Sequence, residues 1–342
     1  MSTRKFRLIS SADVQEGWVM NLLSKKSVAL GAAMLLAANV CLAQAWPSKT
    51  VRLVVVFPPG GFVDQVARQI QPQLQSVLGQ PVIIDNKGGA GGTIGAAEVA
   101  RSEPDGHTFM LVFDNFATFP IAYPKLRFDI HKDFQPVTQV VSNPLILVAS
   151  PGLPAKDPKS LVKLLKAHPD KYNYASVGPG SSGHLTAELF KSVTNTSITH
   201  VAYRGGGPAI QDLMGGQVEM AFFSASAVLP HIQAHKLQAI AQTGAKRAPA
   251  LAQVPTMAES GFPDFQVNSW VGLLAPAGTP KNIVDKMQSE VRKIVTEPAF
   301  VQRLQEQGVV PVANTPEQFT AQIKAEQAKW ERLVVERKLS FE

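Results

Sequence analysis

Apolar and polar positions along the chain switch between two periods. Short runs of β-branched and large apolar residues, "VRLVVVF" (51–57), "PVIID" (81–85) and "HTFMLVF" (107–113), each end at a turn: "PPGG", "NKGGAGG" and "DNFATFP". After the first two turns the apolar spacing lengthens to about 3.6 residues, over 62–78 and in "TIGAAEVARS". Alternation of buried strand, glycine-rich turn and helix predicts an α/β fold with mainly parallel sheets. The same three beats return further on, where "YNYAS", "ITHVAY" and "VEMAFF" lead into "VGPGSSGH", "RGGGP" and "SASAVLPHI". A weak likeness between "MLVFDNFATFP" and "MAFFSASAVLP" supports two comparable α/β domains.

Residues 134–150 form a long β-rich run, broken at Asn143-Pro144, that is expected to pass from one domain to the other. Residues 237–244 are expected to bring the chain back. The tail reads as a helix over 281–296, a turn at "EQGVVPVANTP" and a last helix over 316–337, with Thr315 as N-cap and Pro316 in the first position. It is expected to pack on the first domain. The domains are then 46–142 plus 243–342, and 143–242. Ligands of open α/β sheets lie at the carboxyl ends of the strands, so two such sheets face each other across a cleft. Helix N-termini lining it attract anions through free N–H groups and the helix dipole, each contributing roughly 0.3–1 kcal/mol when exposed.

With 342 residues, 45% hydrophobic and 17% charged, the chain is long enough for two domains with real cores. Its beginning stands apart. In "MNLLSKKSVALGAAMLLAANVCLAQAW", Lys25 and Lys26 precede an apolar stretch over 28–42 that ends in Ala43-Gln44-Ala45. That is the form of a signal peptide, 1–45, cleaved after Ala45, and the stretch is too short to span a bilayer. Met20 also reads as a natural start, with 1–19 then an upstream extension. Cleavage removes five basic and two acidic residues, lowering the formal charge from +7 to +4, and takes away Cys41, the sole cysteine. The mature chain then has no disulfide, thiol nucleophile or thiolate metal site. Its positive charges are scattered, without the aromatic-interleaved basic stripe that nucleic-acid binding needs. The expectation is an exported, soluble, periplasmic protein.

Catalytic motifs fail on spacing. Gly89, Gly91 and Gly95 follow a strand, but no acidic residue ends the next strand as a dinucleotide site requires. No G-x-x-x-x-G-K-[ST] run occurs. Ser181 and Ser182 miss G-x-S-x-G, since Pro179 stands two before the first and His184 two after the second. His231 and His235 have i, i+4 spacing, yet "HIQAH" lacks a Glu and a third ligand. His107, His131, His168 and His200 read as isolated turn or surface residues. Asp64 and Asp114 are the carboxylates at strand-end turns; Asp64, in the first helical turn, suits capping and pocket polarity better than general-base work. No catalytic residue, metal site or cofactor is expected.

The ordered set "WPSKTVRLVVVFPPGGFVDQVAR", "LGQPVIIDNKGGAGGTIGA", "NYASVGPGSSGHLTAELF", "HVAYRGGGPAIQDLMGGQVEMAFFSASAVLPHI" and "SWVGLLAPAGTP" resembles the Bug family of solute-binding receptors, the TctC-like periplasmic component of tripartite tricarboxylate transporters. The likeness spans essentially the whole mature chain. It implies a periplasmic binding protein type II-like fold whose two α/β domains close on a small carboxylated solute, held by backbone amides, small hydroxyls and water. Carried onto this chain, the implied contacts of the first domain are Gly60, Gly61, Phe62, Val63, Asp64, Asp114 and Asn115. Those of the second are Ser176, Gly180, Ser181, Ser182, His184, Tyr203, Arg204, Gly205, Gly206, Ser224, Ala225 and Ser226. The resemblance implies a non-catalytic monomer serving a membrane permease of the tripartite type or a sensor kinase. A secreted α/β hydrolase acting on a small carboxylate or ester is the alternative. The family's first turn usually reads P-x-G-G-G-x-D with Thr before the Asp, and here Phe62 and Val63 fill those places. The change points to a ligand with an aromatic or bulky apolar portion, or else to Phe62 filling unused volume. Arg204 stands where Lys is commoner; it either reaches a second carboxylate or lies in solvent.

Overall fold

Strands and helices form close to where the two periods put them. The computed structural model describes residues 46–339; the leader, the start at Met20 and Cys41 lie outside the described residues. Residues 49–339 belong to one compact unit. Its first elements are β1 (Val51–Val55), α1 (Phe62–Leu78), β2 (Val82–Asn86), α2 (Thr93–Val99), β3 (Thr108–Phe113), α3 (Phe119–Ala122) and β4 (Phe134–Ala149). There follow α4 (Pro158–Ala167), β5 (Asn173–Ser176), α5 (Ser182–Thr194), β6 (Thr199–Ala202), α6 (Gly206–Met214), β7 (Met220–Ser224), α7 (Ala225–Gln233) and β8 (Gln238–Gln242). The chain ends with β9 (Asn268–Pro276), α8 (Lys281–Val295), α9 (Pro298–Glu306), β10 (Val310–Pro311) and α10 (Pro316–Arg337). No described helix is long and apolar enough to cross a membrane.

β1, β2 and β3 pair in parallel, and β5, β6 and β7 form a second parallel set. The order is β2-β1-β3-β9-β4-β7-β5-β6, with β8 and β10 both paired to β4. β4 joins the two sets. Through Pro144 it runs antiparallel to β9, and from Leu145 onward it lies beside β7 and β8. The break expected at Asn143-Pro144 is instead the point where a continuous strand changes neighbours, at a residue with no N–H to place in either ladder. The 237–244 segment does not itself return to the first set, because β8 stays against residues 146–149. The return comes with β9, after Val267 N bonds to Thr243 O (3.0 Å).

The two-residue period of β4 serves two cores. Leu145, Leu147 and Ala149 pack with Tyr174, Phe190, Phe222 and Phe265; Ile146 and Val148 pack on the other face with Ile210, Leu213 and Phe223. A third core gathers Val54, Met110, Val112, Phe116, Phe134 and Trp270 on the first set. α10 reaches two of the three. Phe319 and Ile323 enter the Trp270 core, while Trp330 and Leu333 enter the Leu145 core. The tail therefore does not pack on the first set alone; a helix of 22 residues, about 33 Å long, outruns one sheet. It starts as expected, with a capping box in which Gln318 N donates to Thr315 Oγ1 (3.3 Å) and Thr315 N to Gln318 Oε1 (3.0 Å).

Where α10 crosses β9 the strand needs a glycine. A Cβ on Gly272 would overlap the Phe319 ring and come within 2.9 Å of Trp270 Cζ3. Gly272→Ala is expected to cost about 1–3 kcal/mol through overpacking, seen as a lower urea midpoint at unchanged slope.

Candidate functional site

The strands within each parallel set end at a common edge, so the turns that follow them collect there. After β1 the chain turns at Pro58-Pro59-Gly60, with Gly60 at φ 84°, and α1 begins at Phe62. Asp64 organises this turn. Its Oδ2 accepts from Gly60 N (2.8 Å) and Arg68 Nε (2.8 Å), and its Oδ1 from Asn86 Nδ2 (3.0 Å). Asn86 Nδ2 also reaches Phe57 O at 3.1 Å. Burial pushes the Asp64 carboxyl up, but the hydrogen bonds from Arg68, Gly60 and Asn86 outweigh it and hold the group below the usual carboxylate range.

After β5, Ser181 caps α5 by accepting from His184 N (3.3 Å). Gly183 admits no side chain, since a Cβ there would lie 2.6 Å from Phe222 O. α6 opens at Gly205 (φ 125°) with no side-chain cap, and Cβ atoms on Gly205, Gly206 or Gly207 would meet nothing within 4 Å. Its first N–H groups are left for an external acceptor.

A cleft of about 680 Å³ opens among these turns. Of the residues expected in the site, Gly61, Phe62, Val63, Asn115, Gly180, Ser181, Ser182, Gly205, Gly206 and Ser224 line it. Gly60, Asp64, Asp114, Ser176, His184, Tyr203, Arg204, Ala225 and Ser226 do not. Several of these hold the wall from behind. His184 Nδ1 accepts from Gly180 N (3.1 Å), and Ser176 Oγ accepts from Gly178 N (3.0 Å). Ser226 Oγ accepts from Asn143 Nδ2 (2.8 Å), and the Tyr203 hydroxyl donates to Asp212 (2.8 Å). Arg204 is exposed outside the cleft.

His200 is not the isolated surface residue expected. It meets Ser176 Oγ through Nε2 (2.7 Å) and stacks on both Tyr174 (4.9 Å) and His184 (4.3 Å). The pairing of β5 with β6 sets His200 opposite Tyr174, a neighbour that linear spacing does not reveal. Burial lowers both imidazoles, His184 to about 4 with His200 adding to the shift, so both are neutral at pH 7. The i, i+4 pair also dissolves, because α7 ends at Gln233 and His235 lies beyond it at φ 56°. Among the described residues no three or more His, Cys, Asp or Glu are placed to hold a metal ion.

Sequence reading missed Phe57, Phe113, Tyr123, Val177 and Ser269, which also line the cleft. A signal for two of them was present, since Phe57 and Phe113 each close an apolar strand run. Phe113 meets Phe57 (6.4 Å, 85°) and Phe62 (6.2 Å, 78°) edge to face. Among the described residues, those lining the cleft include no Lys, Arg, His, Asp or Glu.

Charge lies just behind. Ser182 Oγ contacts both Asp114 oxygens at 2.7 Å, linking the turn after β3 to the start of α5. Burial raises the Asp114 carboxyl to about 6, against the Ser182 and Ser269 hydroxyls. Glu326 of α10 accepts from Trp270 Nε1 (2.6 Å). Burial, joined by the charge of Asp114, lifts Glu326 to about 8. Both carboxyls border a cavity of about 10 Å³, roughly the space of one water.

The family described as "Tripartite tricarboxylate transporter family receptor" matches residues 66–339. Protein BugT of Bordetella pertussis is 36% identical over 299 residues, 86% of this chain and 91% of its own. A solved structure titled as that of a periplasmic transporter is 43% identical, with a TM-score of 0.75, over 86% of this chain and 98% of that one. R. palustris Rpa4515, solved with adipate, is 34% identical with a TM-score of 0.76, covering 84% and 97% of the two chains. MatC (Rpa3494) from Rhodopseudomonas palustris, solved with bound malate, is 34% identical with a TM-score of 0.72, covering 84% and 100%. Paired parallel sets, strand-end turns around one cleft and these likenesses agree: the chain belongs to the tripartite tricarboxylate transporter receptor family, the Bug or TctC-like solute-binding proteins, and has their periplasmic binding protein fold.

Proposed function

We propose that this protein is an extracytoplasmic receptor that captures a small carboxylated organic solute between two domains, one built on each parallel set of strands. It then delivers the solute to a tripartite-type permease or reports it to a sensor. The observation that carries this reading is the cleft. Turns of the second parallel set bring the uncapped start of α6 and Ser181, Ser182 and Ser224 to one concave surface, and turns of the first set face them with Gly61, Phe62, Val63 and Asn115. A carboxylate there is held by N–H groups and helix dipoles without a cationic side chain. The relatives solved with adipate and malate support a carboxylate ligand. Asp64, Ser176 and His184 act from behind, keeping the turns in shape. The A-x-A ending of the leader supports cleavage after Ala45 and release into the periplasm.

Native mass spectrometry of freshly purified protein is expected to show one organic acid per chain, released unchanged on denaturation. Turnover of a carboxylate or ester mixture with no retained molecule would instead point to the hydrolase.

A further inference from the structure

The two edges of the cleft differ in what they have left to offer a ligand. On the β5–β7 edge the first turn of α6 has no internal acceptor, and its three glycines stand in open space. On the β1–β3 edge α1 likewise starts without a side-chain cap and the acceptor Asn115 Oδ1 has no partner among the described residues, but several donors are already engaged. Gly60 N donates to Asp64, Asn115 Nδ2 donates to Gly91 O (2.7 Å), and Thr118 Oγ1 donates to Asn115 O (3.0 Å). What this edge presents is ring surface. Phe57, Phe62 and Phe113 are each partly exposed, line the cleft and interlock edge to face.

Charge bears on the same point. Asp64, paired with Arg68, lies behind the β1–β3 edge, Asp114 lies where that edge meets Ser182 of α5, and the cleft lining itself holds no Lys or Arg. Asp64, in the first turn of α1, adds a negative charge beside that helix terminus without capping it, and so disfavours a second anionic group there. Arg204, the cation nearest in sequence to the α6 turn, does not line the cleft.

We propose that the preferred ligand is a monocarboxylate with an uncharged aromatic body, its carboxylate at the glycine turn of α6 and its ring against Phe57, Phe62 and Phe113. This rests on the receptor function proposed above and goes further by fixing the number of carboxylates and the side that each end of the ligand takes. A volume of about 680 Å³ accommodates such a molecule, within the roughly 300–1,000 Å³ common for small-molecule sites. Each ring the ligand meets edge to face adds roughly two- to tenfold in affinity. A dicarboxylate of similar length has to place its second charge against the rings with no partner.

The test is isothermal titration calorimetry of the purified protein, freed of any carried ligand by unfolding and refolding. The probes are benzoate, phenylacetate and 3-phenylpropionate on one side and adipate and malate on the other. At least one aromatic monocarboxylate is expected to bind about tenfold or more tighter than either dicarboxylate. Phe113→Ala and Phe62→Gly are each expected to reduce that preference severalfold, with circular dichroism and thermal midpoint showing that the variants are folded. Dicarboxylates binding as tightly as the aromatic acids, or a preference unchanged in both variants, overturns the inference and leaves the receptor function standing. Binding of neither class overturns both.

Discussion

Asp64→Ala is expected to lower stability by about 1–3 kcal/mol and to weaken solute binding in the same variant. Three donors lose their acceptor at once: Gly60 N, Arg68 Nε and Asn86 Nδ2. The Arg68 side chain is 56% exposed, so its share is small once water replaces the carboxylate. The loss falls on the Gly60 amide and on Asn86, which together fix the turn leading to Phe62 and Val63. The pH dependence has a definite sign. Because the folded-state pKa of Asp64 is depressed, the stability it adds is present above the unfolded value near 3.8 and is lost as pH falls through the lower folded value. Urea titrations at pH 7 and below pH 4 should therefore show the gap between parent and variant narrowing in acid. An equal gap at both pH values would mean that the carboxylate charge is not what holds the turn.

Glu326→Gln is expected to do the reverse, stabilising the protein at alkaline pH. Burial lifts Glu326 from 4.5 to about 8 and Asp114 from 3.8 to about 6. For such groups the stabilising contribution is complete below the unfolded pKa and is lost as pH rises to the folded one. Between about pH 4.5 and 8 the unfolded chain ionises Glu326 while the folded chain keeps its proton, at a slope of up to about 1.4 kcal/mol per pH unit. Partial exposure of Glu326 places the real slope below that limit. Lys329 opposes part of the rise in Glu326. Glutamine preserves an acceptor for Trp270 Nε1 but does not titrate. The parent's thermal midpoint should fall from pH 5 to pH 8, and the variant should lose most of that slope between pH 6 and 8. Parallel curves for parent and variant would remove Glu326 from the account.

Local features of the fold and site were readable where a change of period coincides with a glycine or a cap. "LVVVFPPGGFVDQVAR" passes from period two to period 3.6 across Gly60 and Gly61, and the strand, turn and helix follow it. Thr315 followed by Pro316 and Gln318 marked a helix start correctly to the residue. What could not be read depends on partners far apart in the chain. Ser182 meets Asp114 across 68 positions, and Trp270 meets Glu326 across 56. His200 is placed by strand register and not by its neighbours in sequence. Pro144 looked like a stop because proline usually ends a ladder, yet a strand exchanging one partner for another has a position where its N–H is not needed. Phe62 stood out in the sequence as a bulky residue in a glycine turn, but its meaning needed Phe57 and Phe113 beside it.

The reach of α10 also governs when the protein can finish folding. The Trp270 core draws Val54 and Met110 from early in the chain, Trp270 from β9, and Phe319 and Ile323 from the last helix. Contacts so distant in sequence close slowly, because the entropy of a large loop has to be overcome before they form. During synthesis the earliest strands therefore wait, their apolar face uncovered, until almost the whole chain has left the ribosome. With the export proposed above, this delay would keep the chain in a form that can still be threaded across a membrane.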